Sequence, residues 1–315
     1  MIGGDSSRRN FLKGAFTLGG IVATSRLPLH AAAPANAGTG PVPCLSIAYG
    51  HIKAGVAEPF SVTHITDTHL SLTDDEDDAK LKKFAKYRDS LFHGRQLEAL
   101  KASINFAKKK TDYLVHTGDL IDFVSNANFA AIKEAFGPEA DFFCAMGNHE
   151  YWWRGEGSRS NAALFKACQE VYPNDLRFAS KVVNGVNFVA LNNAVMDNAK
   201  TAGITQAQID AFKKEVEKGL PIVLLTHVPF YTPDIWMAKC KYCRTKGKFR
   251  NEHKTPMTFN ARVEDFIAYL KSEPLLKGIL TGHEHITVVE RFSPTAMQYL
   301  TAGNYAFAVR EVLIT

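Results

Sequence analysis

The segment Phe60-Ser-Val-Thr-His-Ile-Thr-Asp-Thr-His69 sets the reading of the chain. Apolar and polar residues alternate from Phe60 to Ile65, the period-two pattern of a half-buried strand. The run then ends in a carboxylate, Asp67, and an imidazole, His69. On an extended chain alternate residues share a face, so the two are expected on one side. Four more strand-like runs end in the same kind of residue. Tyr113–Val115 leads to Gly118-Asp119, and Phe142–Met146 to Gly147-Asn-His-Glu150. Pro221–Thr226 leads to His227, and Gly278–Leu280 to Gly282-His-Glu-His285. Ligand sites in α/β sheets form beyond the carboxyl ends of strands. Five such ends, spread over more than half of the sequence, are therefore expected to converge.

Between these runs lie amphipathic segments. Leu97, Leu100, Ile104 and Ala107 recur at helical spacing, as do Phe259, Val263, Phe266, Ile267 and Leu270. Thr205 with Gln208 forms a capping box, and Gly219 ends the helix that it opens. Asn184-Gly185 marks a hairpin. The tail from Ile279 to Ile314 reads as several strands. Strands alternating with helices, then a β-rich end, predict an α/β fold with mixed sheets. Tyr231–Pro256 has little periodicity and reads as an inserted loop or cap. The acidic run Asp74–Asp78 reads as a solvated loop.

The ligand chemistry agrees across the five ends. Imidazoles with carboxylates suit Zn, Fe or Mn rather than Ca or Mg. A lone His at a strand end is ordinarily a hydrogen-bonded surface residue, and a lone Gly-Asp a turn. The ordered set carries the argument. In this order D-x-H, G-D, G-N-H-E, H and G-H-x-H resemble the calcineurin-like metallophosphoesterase family, from about Phe60 to the C-terminus. The resemblance implies a four-layer sandwich of two mixed β-sheets flanked by helices. It implies a dinuclear metal site at the strand C-terminal ends. Asp67, His69 and His285 would hold one ion, Asn148, His227 and His283 the other, and Asp119 would bridge them. His149 would be the catalytic histidine, beside the leaving group, with Asn148 also touching the substrate phosphate. The expected reaction is hydrolysis of a phosphate mono- or diester by metal-activated water. Mn, Fe or Zn would serve as the two ions.

The wording around Asp67, Asp119 and His283 is similar to bacterial class III cyclic-nucleotide phosphodiesterases. A purple-acid-phosphatase-like phosphomonoesterase is a weaker alternative, because Asp122 stands where that group has its tyrosine ligand. The same motifs could also serve a nuclease of the same fold or a non-catalytic metal-binding scaffold. Basic residues of Lys80–Phe92 (Lys82, Lys83, Lys86, Arg88) and of Tyr231–Pro256 are candidates to meet an anionic substrate. Tyr151, Trp152 and Trp153 would either wall the site or pack in the core.

Composition bounds the remaining possibilities. With 315 residues, 46% hydrophobic and 22% charged, the chain is globular. No apolar run reaches the roughly 18 residues of a membrane span. The net charge of +5 gives nucleic acid no electrostatic footprint. Part of it lies in Ser6-Ser-Arg-Arg-Asn-Phe-Leu-Lys13, which resembles a twin-arginine export signal. A mildly apolar stretch follows it, and then small-residue cleavage options near residue 37. Residues 1–37 are thus expected to be a signal peptide read by the twin-arginine translocation machinery. Residues 38–315 would form a single catalytic domain in the periplasm. Of the five cysteines, Cys144 and Cys168 read as buried apolar residues. Cys240-Lys-Tyr-Cys243 lacks the second pair that a zinc ribbon needs.

Overall fold

The computed structural model describes residues 44–137, 142–196, 202–230, 232–245 and 261–315. The twin-arginine segment lies outside the described residues, as do the side chains of Cys240 and Cys243 and most of the basic residues expected after Lys241. Val42–Thr315 forms one compact unit. Its strands are β1 (Ser46–Ile52), β2 (Phe60–Ile65), β3 (Tyr113–Thr117), β4 (Phe142–Ala145), β5 (Phe178–Val183) and β6 (Val186–Leu191). They continue with β7 (Val195–Met196), β8 (Ala202–Gly203), β9 (Ile222–Leu225), β10 (Leu276–Thr281), β11 (Val288–Arg291), β12 (Met297–Leu300) and β13 (Ala308–Ile314). The helices are α1 (Ala79–Leu91), α2 (Gln96–Lys110), α3 (Asn126–Phe136), α4 (Asn161–Gln169), α5 (Gln206–Val216), α6 (Pro233–Thr245) and α7 (Ala261–Ser272).

One mixed sheet runs β1-β13-β2-β3-β4, and a second runs β11-β12-β10-β9-β6-β5. In the first, β2, β3 and β4 are mutually parallel. In the second, β6, β9 and β10 are parallel. The ends that carry Asp67, Asp119 and Asn148 therefore share one edge of the first sheet, and those of His227 and His283 one edge of the second.

Burial explains the layering. Val62, Val115, Phe143, Phe188, Val223, Leu225, Leu280 and Val312 fill the space between the sheets. Ile65, Leu100, Ile104, Leu114, Ile132 and Leu164 pack the outer face of the first sheet under α2, α3 and α4. Leu191, Ile209, Phe212, Leu224, Val263, Phe266 and Leu270 do the same for the second under α5 and α7. Each central strand is buried on both faces, hence its nearly unbroken apolar run. The result is the expected four-layer sandwich.

The capping box at Thr205 and Gln208 is formed, and Asn184-Gly185 turns β5 into β6. Three strands escaped the sequence reading, β1 and the two-residue pair β7 and β8. β1 is a sheet edge, pairs among the described residues with β13, and is buried only at Ile52, so its residues carry no apolar run. Part of the Tyr231–Pro256 stretch is helical, as α6. Among the described residues no helix is long and apolar enough to cross a membrane.

Candidate metal centre

All eight residues singled out in the sequence come together. Asp67, His69 and His285 form one group of potential ligands, and Asp119, His227 and His283 another. Asp119 faces both groups: its Oδ2 lies 3.2 Å from His227 Nε2 and 3.8 Å from His69 Nε2. Asn148 Oδ1 stands 3.1 Å from His227 Nε2 and 3.0 Å from His283 Nδ1. His69 Nε2 and His285 Nε2 are 3.0 Å apart.

The backbone that delivers these groups is not extended. Asp67, His69, Asp119, His283 and His285 all have positive φ, between 52° and 72°. The expectation that alternate residues of an extended chain bring Asp67 and His69 together is corrected accordingly. They meet because the chain leaves β2 through left-handed turns. His283 and His285, also two apart, point into different groups. Left-handed non-glycine residues cost energy and concentrate at functional sites. Gly118, at φ +94°, permits the turn before Asp119. A Cβ on Gly147 would collide with the Asp119 carboxylate.

The donor set fits metal ions. Asp67 Oδ1 is buried without a hydrogen-bond partner, although His285 Nε2 stands 3.2 Å away. Such an orphan is costly unless something else pairs with it. Donors on one small ion at about 2.0–2.2 Å stand roughly 3–3.6 Å apart, close to the spacings here. Two carboxylates and four imidazoles where the edges of the two sheets meet also suit a divalent cation electrostatically.

The titration of the groups follows from their neighbours. Burial opposes protonation of His69, but hydrogen bonds to Asp122 and Asp67 prevail and push it up to about 10. Burial opposes protonation of His227 too, and Asp119 prevails, raising it to about 9. Burial would raise Asp119, yet His227 and His149 hold it well below the carboxylate range. His283 falls to about 4 through burial.

Several supporting residues went unrecognised in the sequence. Asp122 Oδ1 lies 2.9 Å from His69 Nδ1 and 2.8 Å from His149 Nδ1. Arg88, expected as a rim cation, instead reaches inward and pairs with Asp122. Glu150 does not orient the His149 ring. It is fully buried and accepts the backbone N–H groups of Asp119, Leu120 and Gly147 and the hydroxyl of Tyr172. Burial, then the Asp119 charge, raises Glu150 to about 7. Tyr305 Oη meets His285 Nδ1 at 3.2 Å. The aromatic trio divides. Trp152 covers His149 at 3.6 Å between ring centroids, whereas Tyr151 and Trp153 pack against the helix-side core. The spacing G-D-x-x-D was the one available signal for Asp122; Arg88 and Tyr305 had none.

A two-sheet sandwich with two adjoining groups of potential ligands, Asp119 facing both, is consistent with a dinuclear-metal hydrolase architecture. The model of the calcineurin-like phosphoesterases matches residues 60–287, and the chain belongs to that family of phosphoester hydrolases. No curated protein matches the chain. Among solved structures it is similar to a dimetal phosphatase from Danio rerio, at 13% identity and TM-score 0.48, covering 78% of this chain and 88% of that one. It is similar to a putative 5'-nucleotidase from Staphylococcus aureus, at 13% identity and TM-score 0.46, covering 78% and 49%. It is also similar to a purple acid phosphatase from yellow lupin (Lupinus luteus), at 14% identity and TM-score 0.47, covering 80% and 45%. The chain spans about half the length of the last two.

Proposed function

We propose that this phosphoesterase works with two metal ions, Mn, Fe or Zn, on a small phosphate mono- or diester. Asp67, His69 and His285 would hold one ion, Asn148, His227 and His283 the other, and Asp119 both. The orphaned, fully buried Asp67 Oδ1 within this donor set carries the proposal. Bound ions would supply Lewis acidity that neutralises phosphoryl charge and lowers the pKa of water. The chain's own residues do the rest. His149 Nδ1 donates to Asp122, 3.0 Å from its backbone carbonyl and 2.8 Å from its Oδ1, which leaves Nε2 as the atom turned toward Asp119, at 3.9 Å. From there a protonated His149 would donate to the leaving oxygen. Asn148, 8% exposed at the lip of the second group, would orient a phosphoryl oxygen.

The motif wording favours the cyclic-nucleotide phosphodiesterase branch within the family. The amino-terminal sequence supports folded export to the periplasm as a signal peptide of about 37 residues, with residues 38–315 as the catalytic domain. Asp122 stands at the position of the purple acid phosphatase tyrosine and is engaged by two histidines and Arg88, which disfavours that alternative. A panel of 3',5'-cyclic nucleotides, mononucleotides and bis(p-nitrophenyl) phosphate, assayed with Mn²⁺, Zn²⁺ or Fe²⁺, tests the reading. Chelator-sensitive hydrolysis of at least one ester is expected. Metal-loaded protein that cleaves none of them would sink it.

A further inference from the structure

We propose that Arg88 is a positioning residue: by clamping Asp122 it sets both the affinity of the first metal position and the orientation of His149. This rests on the two-metal reading above. α1 lies between the first two ligand-bearing strands and carries Arg88 toward the site. The guanidinium meets the carboxylate in a fork, Nε to Oδ2 at 2.5 Å and Nη2 to Oδ1 at 2.7 Å. Arg88 is 16% exposed and Asp122 not at all. The oxygen gripped by Nη2 lies 2.9 Å from His69 Nδ1 and 2.8 Å from His149 Nδ1, which also meets the Asp122 backbone carbonyl at 3.0 Å. A single carboxylate thus supports a potential metal ligand and the expected acid together.

The surrounding rings repeat this pairing. Phe92 and Trp152 both flank the guanidinium, at 4.9 and 5.6 Å. Phe92 also stacks on His69 at 4.6 Å with 16° between planes, and Trp152 covers His149 at 3.6 Å. Arg88 therefore stands behind each imidazole twice, once through Asp122 and once through a ring. Asp122 is a buried carboxylate whose permanent counter-charge is Arg88. A buried carboxylate stripped of its partner is strongly unfavourable and seeks another arrangement. Lysine cannot substitute fully, because a point charge does not grip both oxygens in a plane.

α1 has other anchors that bypass Asp122. Asp78 caps the helix through the Leu81 N–H and also accepts the Glu156 N–H at 2.8 Å, and Lys80 reaches the Gly155 carbonyl. Asp78→Ala thus loosens the same helix without touching the clamp.

The test compares wild type, Arg88→Met, Arg88→Lys and Asp78→Ala. Mn²⁺ titration followed by EPR gives stoichiometry and affinity, and a chromogenic phosphodiester gives kcat and KM. In Arg88→Met, one of two Mn²⁺ equivalents should bind about 10- to 100-fold more weakly, and kcat at saturating metal should fall by a similar factor with KM nearly unchanged. Arg88→Lys should show the same pattern at smaller amplitude, and it carries the comparison if the Met variant does not fold. Asp78→Ala should lower the melting temperature while keeping both affinities. Arg88 variants with wild-type Mn²⁺ binding and kcat overturn the inference alone. So does Asp78→Ala if it reproduces the metal defect, because helix docking then explains it. Wild type that fails to bind two Mn²⁺ overturns the two-metal reading and this inference with it.

Discussion

Two loops meet over the site, one after β3 and one after β10, and they are held in different ways. The β3 loop, Gly118 to Asp122, is buried throughout and braced from below. Glu150 takes four N–H groups from it and the adjoining Gly147 turn, and His116 Nδ1 accepts the Gly118 N–H at 3.1 Å. Its Asp122 in turn supports two imidazoles. The β10 loop, Gly282 to His285, lies nearer the surface, with His283 and His285 side chains 22% and 25% exposed. It is tied by the His283 N–H to Asp67 Oδ2 at 2.9 Å, by the Tyr305 hydroxyl, and by a Glu284–Lys239 pair to α6. The inner loop is braced wholly by desolvated groups, Asp122 with its Arg88 counter-charge among them; of the outer loop's ties only Asp67 is as deeply buried, the phenol being neutral and the Glu284–Lys239 pair partly exposed. Hydrogen bonds to ionised groups are roughly twice as strong as neutral ones. The inner loop should therefore set the chemistry and the outer loop should tune it.

The largest expected effect comes from the inner loop. Asp119→Asn keeps the shape and removes the charge that both ligand groups share. It should lose metal from both positions, measured by elemental analysis, and hydrolysis should fall to background. Retention of two ions would break the comparison at its centre. Next comes His149→Ala, whose kcat should fall by about 10²–10⁴ with metal content unchanged. The loss should be smaller for a nitrophenyl ester than for an alkyl ester, because a good leaving group needs less protonation. An equal loss on both esters would argue against the proton-donor role.

The same contrast explains what the sequence disclosed. The floor of the site was legible because each ligand follows an apolar strand run and has little freedom in chemical type. Asp67, Asp119, Asn148 and His227 could be placed beyond their strands without coordinates. The supports were much less legible. Arg88 lies 21 residues after Asp67 on an inserted helix, and Tyr305 in a turn between β12 and β13, and neither sits in a strand-end pattern. Their roles depend on tertiary packing that no local period encodes. The left-handed backbone at five of the candidate ligands was also hidden, since Asp and His, although enriched there among non-glycine residues, adopt positive φ in only a small minority of cases. β1 was invisible for the opposite reason: an exposed edge strand needs no apolar pattern.

A smaller effect should appear in stability against pH. His116 Nδ1 accepts from Gly118, so its single proton is on Nε2, which donates to Thr68 Oγ1 at 3.0 Å. Burial holds His116 down at about 3. Between that value and the unfolded value near 6.5 the unfolded chain binds more protons, so stability rises with pH. The contribution is complete above about 6.5 and is lost as pH falls toward 3. His116→Gln removes this titration. The stability advantage of wild type over the variant, from urea unfolding, should shrink by about 2 kcal/mol between pH 7.5 and 5. A pH-independent difference would mean that the brace beneath the inner loop is not a neutral imidazole.

The smallest effect belongs to the outer loop and gives the most direct test of rank. Tyr305 supports His285 through a neutral phenol at 3.2 Å, where Asp122 supports His69 through a carboxylate at 2.9 Å. The Tyr305 ring also packs 4.6 Å from Phe92, so Tyr305→Phe deletes only the hydroxyl and keeps the stacking. The cost should fall at the lower end of the range for such supports, about tenfold in Mn²⁺ affinity, and Asp122→Asn nearer a hundredfold. Both variants bear on the same ligand group, so one Mn²⁺ titration series compares them directly. If Tyr305→Phe costs as much as Asp122→Asn, charge and burial do not rank the two loops. The strained backbone they share at Asp119, His283 and His285 would then be the common source of their rigidity.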